Sequence, residues 1–205
     1  FNNERSWFLA HKQDYEAHLL APTRALGEQV YEALHAAFPK EPFLLKLSRI
    51  YRDARRLHGN GPYKDHLWFC VRAGGEDWTG RPTFYFEIGP DYYSYGMGFW
   101  APKAALMEAY RKAVDEHPEV LEKLVKRFNK QAQFTLSGPE YARKKTAPSP
   151  LLAAWYNKKS INLQHDAAPD ERMFSQELAQ DIIEGFRTLM PLYKYFDALC
   201  AAEMV

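Results

Sequence analysis

The spacing of apolar residues along the chain changes from a helical period to a strand period and back again. Up to Phe38, apolar residues recur every three or four positions, as one face of an amphipathic helix requires. This pattern predicts a first helix from Trp7 to Leu19, capped by Asn2 or Asn3. It predicts a second helix from Pro22 to Phe38, because proline is favoured in the first helical turn.

Between Phe43 and Trp100 the period becomes two, which is typical of β-strands. Turn residues such as Gly89-Pro90-Asp91 separate the alternating runs. We therefore expect an antiparallel meander of three to five strands. The predicted strands are Phe43–Ile50, His66–Ala73, Thr83–Ile88 and Tyr92–Trp100.

The helical period returns in the second half of the chain. Residues 132–150 contain several Gly and Pro residues and are expected to form a loop with one helical turn, and the stretch after Tyr156 is polar. Helices on both sides of a run of strands indicate an α+β fold, and without a linker the chain is expected to form a single domain, 1–205. The predicted helices are Pro102–Glu116, Pro118–Phe128, a short piece at Leu152–Tyr156, and a long helix after Ser175 that Pro191 bends or splits.

Composition narrows the class of protein further. The 205 residues suffice for one substantial core, and the formal net charge of +1 argues against bulk binding of nucleic acid or of an acidic membrane. No apolar run approaches the roughly 18 residues that span a bilayer, and no signal peptide is visible, so a cytoplasmic protein is expected. The sequence starts at Phe1 without Met, so we expect further residues upstream. Cys70 and Cys200 are expected to be reduced, buried thiols.

Charge is distributed unevenly despite the balanced total. A basic stretch between positions 46 and 66 contains Asp53 and Asp65 as its only acidic residues. A second basic run extends from Arg143 to Lys159. The segment 166–184 is acidic instead, with only Arg172 opposing its carboxylates. The basic residues of the first stretch are Lys46, Arg49, Arg52, Arg55, Arg56 and Lys64, and the carboxylates of the acidic segment are Asp166, Asp170, Glu171, Glu177, Asp181 and Glu184.

The segment Arg49–His66 is the first candidate site. Arginine offers a planar fork that fits a carboxylate or phosphate, and the loop Gly59–Pro62 leaves backbone N–H groups free to meet an anion. An anion site built from Arg52, Arg55, Lys64 and the loop amides is therefore predicted. The alternative is a solvated edge in which Asp53 pairs with a neighbouring Arg. His66 is the candidate general acid or base, together with Asp53 or Glu87.

Two further segments are candidates for ligand contact. The glycines of Gly96–Pro102 either mark a close approach by another group or make room for a ligand above the sheet. The helix that starts at Pro102 would direct its N-terminus towards an anion nearby. The run Trp155–Ser160 interleaves aromatic residues with lysines, which suits either stacking on a nucleotide or a basic surface turn. None of the seven histidines has metal-ligand spacing, so no metal is expected.

Several ordered motifs resemble one known family. Together they resemble a bacterial and fungal family of conserved hypothetical proteins, catalogued as the domain of unknown function number two-four-six-one. The resemblance covers essentially the whole chain. The motifs are Asn3-Glu4-Arg5-Ser6-Trp7-Phe8, Arg49-Ile50-Tyr51-Arg52-Asp53-x-Arg55, Pro62-Tyr63-Lys64-x-His66, Gly96-x-Gly98-x-Trp100-x-Pro102 and Lys158-Lys159-Ser160.

The resemblance implies where to look and does not imply a reaction, because the family has no assigned activity to carry over. It also exposes one departure. Members usually have a Phe-Ser-x-Asp-Lys-Thr-type stretch before Pro-Tyr-Lys, whereas Arg56–Gly61 of this chain reads Arg-Leu-His-Gly-Asn-Gly. An acidic and a basic group of that loop are therefore missing here.

The sequence thus predicts an anion-binding pocket, with or without an enzymatic reaction, for a phosphorylated or carboxylated small molecule or a nucleotide. One alternative is a non-enzymatic module that binds a protein or a nucleic acid through 143–159 together with 46–64. The other is a purely architectural Arg/Asp network. The cofactor, the oligomeric state and the substrate stay open. The residues expected to converge are Arg5, Arg49, Arg52, Asp53, Arg55, Tyr63, Lys64, His66 and the strand Gly96–Trp100 with Trp100 at its end.

Overall fold

The structure is a computed structural model that describes residues 2–53, 55, 61–75 and 78–202. Within these ranges a six-stranded antiparallel sheet forms the centre of the molecule, with strands in the order β1-β2-β3-β4-β6-β5. The predicted α+β class is confirmed, with one strand more than the three to five expected. The strands are β1 (Phe43–Leu47), β2 (Leu67–Ala73), β3 (Pro82–Ile88), β4 (Tyr93–Phe99), β5 (Thr135–Ser137) and β6 (Asn162–Ala167).

The meander predicted from the alternating pattern corresponds to β1–β4, which pair in chain order. β5 falls within residues 132–150, where a loop was predicted, so the prediction is wrong over its three residues. β6 falls in the polar stretch after Tyr156, for which no strand was predicted. β6 pairs with β4 along its length, and β5 pairs with β6 at the sheet edge. The reason for the miss is composition, because the sequence of β6 is Asn-Leu-Gln-His-Asp-Ala and only Leu163 in it is strongly apolar.

The helices lie before and after this meander, as predicted. Ser175 precedes the last helix, and its Oγ accepts a hydrogen bond from the Glu177 N–H at 3.1 Å. Pro191 lies within that helix and does not split it. The helices are α1 (Arg5–Ala10), α2 (Lys12–Tyr15), a π-helical turn (Glu16–Leu20), α3 (Ala21–Ala37), α4 (Ala104–Glu116), α5 (Pro118–Phe128), α6 (Ala153–Tyr156) and α7 (Gln176–Ala202).

The core lies between one face of the sheet and helices α3 and α7. Phe84 of β3 stacks on Phe186 and Tyr193 of α7, with ring centroids 4.7 and 4.9 Å apart. A Cβ at Gly27 of α3 would lie 3.2 Å from the Phe69 ring of β2, so that helix also packs on this face. Each fully buried large apolar side chain stabilises the fold by about 1.5–3 kcal/mol.

The start of α1 differs from the sequence prediction. Glu4, and not Asn2 or Asn3, occupies the position that precedes the first helical residue, and it makes no side-chain cap. Asn3 instead bonds to Tyr63, sixty positions further along the chain. No helix among the described residues has both the length and the apolar character needed to cross a membrane.

Candidate functional site

The second face of the sheet differs in chemistry from the first. Successive strand residues point to opposite faces, so the residues paired with Cys70, namely Lys46 and Tyr85, share its face. The ring contacts that α7 makes with strands β1, β3 and β4 all reach residues of the first face. We call the second one the polar face. Its members include Lys46, Trp68, Cys70, Arg72, Thr83, Tyr85, Glu87, Ser94, Gly96, Gly98 and Gln164.

Aromatic and acidic groups meet at one end of the polar face. Trp68 of β2 is half-buried and lies directly opposite Glu87 of β3. The Tyr92 hydroxyl donates a hydrogen bond to the Glu87 carboxylate. The hydroxyls of Tyr85 and Ser94 are hydrogen-bonded at 3.2 Å, and burial raises the pKa of Tyr85 to about 12. This end of the face therefore offers ring surface together with positioned polar groups.

The segment Arg49–His66 borders that end. Its two halves pair with each other, because the Arg52 N–H donates to Pro62 O and the Lys64 N–H donates to Ile50 O, both at 2.8 Å. Tyr51 and Tyr63 form the bridge between these two bonds. Residues 50–52 and 62–64 are thereby held side by side, and the second of these stretches leads towards β2.

The Asn3–Phe8 motif and the segment Arg49–His66 meet in space, as expected. Asn3 makes two hydrogen bonds to the backbone of Tyr63, at 2.8 and 2.9 Å. The Phe8 ring stacks on the Tyr63 ring at 4.2 Å between centroids and lies 6.2 Å from the Tyr51 ring. Tyr63 is accordingly buried, with 6% of its surface exposed. Arg5, on the neighbouring turn of α1, is exposed.

Among the described residues of this segment, both carboxylates are paired with neighbouring basic side chains. Arg52 donates from Nε to Tyr63 O at 2.7 Å, and its Nη2 lies 3.6 Å from Asp65 Oδ1. Arg55 is bound to Asp53 at 2.8 Å, and the Arg55 side chain is 88% exposed. This pair matches the solvated, salt-bridged edge that was the alternative to an anion site.

His66 has a different partner from the two proposed from the sequence. Its Nδ1 donates to Asp65 Oδ1 at 2.9 Å. That hydrogen bond is the main reason that the pKa of Asp65 is lowered, with further contributions from the backbone and from the charges of His66 and Arg52. Asp53 is bound to Arg55 and Glu87 accepts from Tyr92. The carboxylate that orients His66 is therefore Asp65.

Lys64 lies on the border between this segment and the polar face. Its Nζ donates to Arg49 O at 2.8 Å and lies 5.7 Å from the centroid of the Trp68 ring. The pKa of the Lys64 ammonium is lowered, mainly by burial and then by the positive charges of Arg49 and Arg52, while Glu87 opposes the shift. The neighbouring arginines therefore make the electrostatic potential at the Lys64 ammonium positive.

The Gly96–Pro102 motif does not join Asn3–Phe8 and Arg49–His66, so the expectation of one convergent site is wrong in this part. Leu67 and Tyr93 both pair with Ile88, whereas Phe99 pairs with Pro82, so Trp100 lies at the opposite end of β4. A seven-residue strand spans about 20 Å. Trp100 is 72% exposed and borders the far end of the polar face.

The glycines Gly96 and Gly98 are explained by close packing against β6. A Cβ at Gly96 would lie 1.9 Å from Leu163 O of β6, and one at Gly98 would lie 3.0 Å from Ile161 O. The absence of side chains lets the β6 backbone approach β4. The predicted loop amides at 59 and 60 lie outside the described residues, while Gly61 lies against Asn3.

The Trp155–Ser160 segment is mostly part of the core. Trp155 and Tyr156 are 3% and 4% exposed, so they offer no surface on which a base could stack. Lys158 is buried as well, and its Nζ donates to Gly138 O at 3.0 Å and to Glu140 Oε1 at 3.2 Å. Lys159 is exposed and lies 5.8 Å from the Tyr141 ring.

Two cavities of similar size lie away from Arg49–His66. One, of about 240 Å³, is formed by β4, β6 and α7 and includes Tyr93, Tyr95 and His165. The other, of about 250 Å³, lies between α4 and α6 and includes Arg111, Asp115 and Lys145. Sequence reasoning missed the first cavity because it did not recognise β6 as a strand. Over the described ranges, no group of His, Cys, Asp and Glu side chains could hold a metal ion.

These features define an α+β protein whose antiparallel sheet has a helix-packed apolar face and a polar face bordered by basic residues. The family model described as "Conserved hypothetical protein (DUF2461)" matches residues 1–195, and the chain belongs to this family. No curated protein matches the sequence. The family description names no activity, so function has to be argued from the site.

Proposed function

We propose that the polar face beside Lys64 binds a small anionic ligand with a flat ring, that is, a phosphorylated or carboxylated small molecule such as a nucleotide. One observation carries this proposal. The Lys64 ammonium is fixed by Arg49 O at 2.8 Å and lies 5.7 Å from the Trp68 ring, at the border of the polar face. A positioned cation beside a half-buried indole suits both parts of such a ligand.

The Lys64 ammonium has hydrogen-bond donors that the described residues do not use. A lysine Nζ carries three N–H donors, and the described residues use one of them, in the bond to Arg49 O. Burial is the main cause of the lowered pKa of Lys64, and the positive charges of Arg49 and Arg52 lower it further. An anion at this point would relieve that repulsion, because an opposite charge favours the protonated amine.

Trp68 supplies the second part of the site. An indole face stacks on the ring of a nucleobase without depending on its identity, and each such contact is worth about 1–3 kcal/mol. The Glu87 carboxylate lies opposite Trp68, so it can accept a hydrogen bond from an amino group on the stacked ring. Trp100 is too far along β4 to contact the same small ligand.

The remaining predicted residues support the site without forming it. Arg52 and Asn3 both bond to the backbone of Tyr63, and this favours the architectural alternative for those residues. Arg55 is bound to Asp53, and Arg5 lies exposed on α1. If the site is enzymatic, His66 oriented by Asp65 is its acid or base. A cytoplasmic, single-domain protein remains part of the proposal.

The test is a ligand titration followed by NMR of the backbone and tryptophan side-chain N–H signals. The probes are AMP, adenosine and inorganic phosphate. We expect AMP to bind more tightly than either part alone and to shift the Trp68 indole signal. Lys64→Gln should weaken AMP binding about tenfold, since a charge-assisted hydrogen bond is lost. Trp68→Leu should weaken AMP and leave phosphate binding unchanged.

The matched control is Lys126→Gln, because Lys126 is an exposed lysine of α5 that pairs with Glu122. Its affinity for AMP should equal that of the unaltered protein. Equal affinity of Lys64→Gln and Lys126→Gln would overturn the proposal, as would the absence of any shift at Trp68 with all three probes.

A further inference from the structure

We propose that the cavity bounded by Tyr93, Tyr95 and His165 is a second binding site, and that its ligand is a small organic ammonium ion. The cavity lies where β4 and β6 meet the first turns of α7 and the loop before β5. Its volume of about 240 Å³ is below the roughly 300–1,000 Å³ of sites for drug-sized molecules. The ligand should therefore contain only a few heavy atoms.

Aromatic rings form one wall of the cavity. The rings of Tyr93 and Tyr95 are nearly parallel, with an interplanar angle of 4° and centroids 6.5 Å apart. The His165 ring lies 4.8 Å from that of Tyr95. The faces of such rings carry negative charge density, and ammonium ions bind to them when they are partly removed from water.

The Tyr93 hydroxyl is a hydrogen-bonding group of the cavity lining that the described residues leave unused. Tyr93 is 3% exposed and lines the cavity, and none of the described residues forms a hydrogen bond with its hydroxyl. The neighbouring Tyr95 hydroxyl accepts a bond from Gln133 Nε2 at 2.8 Å. The Tyr93 oxygen can therefore accept a hydrogen bond from a ligand N–H.

His165 provides a second acceptor. Its Nδ1 lies 2.9 Å from Gln133 O, and a carbonyl can only accept, so Nδ1 carries the proton. In the neutral ring Nε2 is then left with a lone pair. The hydrogen bond also fixes the orientation of the ring against Tyr95.

Two carboxylates, Asp181 and Glu184, line the cavity together with one arginine, Arg172. Arg172 is bound to Asp181 at 2.8 Å, and Glu184 is bound at 2.7 Å to Arg187, which does not line the cavity. Burial is the main cause of the raised pKa of Tyr93, and the carboxylates of Asp170 and Asp181 raise that pKa further against the opposing effect of Arg172. Of the six carboxylates of the acidic segment 166–184, Asp181 and Glu184 line this cavity.

The two sites are independent. Tyr93 points to the apolar face of the sheet and Lys64 borders the polar face, and the ligands have opposite charge. Binding of an amine to this cavity therefore neither requires nor excludes binding of AMP beside Lys64.

The experiment is a titration of protein labelled with ¹³C at the histidine rings. The probes are ethylamine and 1,4-diaminobutane, with ethanol, 1,4-butanediol and acetate as uncharged and anionic counterparts. We expect the amines to shift the His165 ring signal and the counterparts to leave it unchanged. Tyr93→Phe should weaken amine binding about threefold, and Asp181→Asn about tenfold.

The control variant is Glu119→Gln, because Glu119 is an exposed carboxylate of α5 and its loss should not change amine affinity. The thermal midpoint of each variant establishes that it is folded at the temperature of the titration. The proposal is overturned if the diol shifts the His165 signal as strongly as the diamine does. It is also overturned if folded Tyr93→Phe and Asp181→Asn both bind the amines as tightly as Glu119→Gln.

Discussion

The side-chain amide of Asn3 forms two hydrogen bonds with the backbone of Tyr63, donating to its O at 2.8 Å and accepting from its N–H at 2.9 Å. This arrangement imitates the pairing of a neighbouring β-strand. It attaches the start of α1 to the segment that leads into β2. The Phe8 ring, stacked on Tyr63 at 4.2 Å, closes the same contact with apolar surface.

Replacing Asn3 by Ala removes both hydrogen bonds and leaves the Tyr63 N–H without its acceptor. We expect a loss of about 1–3 kcal/mol in the free energy of unfolding, because an unsatisfied buried donor keeps its desolvation cost. Urea denaturation measures this loss. Asn2→Ala is the control, since Asn2 is exposed. Equal midpoints for the two variants would contradict the assigned contact.

Arg52 and Arg55 should respond differently to the same substitution. Arg52 is 25% exposed and bonds to Tyr63 O at 2.7 Å, whereas Arg55 is 88% exposed and pairs with Asp53 in solvent. We expect Arg52→Met to lower the free energy of unfolding by about 1–2 kcal/mol and Arg55→Met to leave it essentially unchanged. The pair is compared by thermal and urea denaturation. A larger loss of stability for Arg55→Met than for Arg52→Met would contradict the contacts assigned to these two side chains.

Gly96 should not tolerate a side chain. A Cβ there would lie 1.9 Å from Leu163 O, which is backbone and cannot rotate away. We expect Gly96→Ala to destabilise the fold by about 2–3 kcal/mol, or to prevent folding, by forcing β6 away from β4. Ser94→Ala, two positions earlier on the same face, should cost about 1 kcal/mol through its bond to Tyr85. A Gly96→Ala protein as stable as Ser94→Ala would refute this reading.

The protonation of Lys64 should depend on the ligand. Its pKa in the folded protein lies below the ordinary value of 10.5, chiefly through burial. The unfolded chain therefore holds this proton more strongly, so this group's contribution to stability increases as the pH rises through the folded pKa towards 10.5. An anion bound beside it should raise the pKa again. NMR titration of the lysine side-chain signals with and without AMP measures both effects. A pKa unchanged by saturating AMP would argue against contact.

The Cys70 thiol should be inert in the folded protein. Burial raises its pKa to about 11, so almost no thiolate is present at pH 8. We expect negligible reaction with an aromatic disulfide reagent under native conditions and complete reaction in urea, in a Cys200→Ala background. Rapid native labelling at pH 8 would show that the polar face opens at this strand.

The strands that the sequence predicted are those whose own residues show the strand pattern. Alternating apolar residues in β2, β3 and β4 identify these strands without reference to their neighbours. β6 has no such pattern, because its position depends on hydrogen bonds to β4 and on the glycine at 96. The residues of one strand do not reveal the strand with which it pairs.

The candidate site was likewise predicted from the sequence only in part. The basic character of Arg49–His66 and its contact with the Asn3–Phe8 motif followed from the sequence. The location of Trp100 did not, because alternation gives the face of a residue but not its distance along the sheet from another motif. His165 was missed together with its strand, and its acceptor at Gln133 O belongs to a segment predicted as loop.

The two outer strands also bear on how molecules of this chain behave towards each other. An edge strand offers unpaired backbone groups to any other chain, which can lead to aggregation. At one edge β5 has only three residues, so it gives a partner strand little length to pair with. At the other edge β1 has five residues, and the exposed Leu44 is followed two positions later by the exposed Lys46. Neutralising Lys46 would remove this protective charge, and turbidity at high protein concentration should then increase.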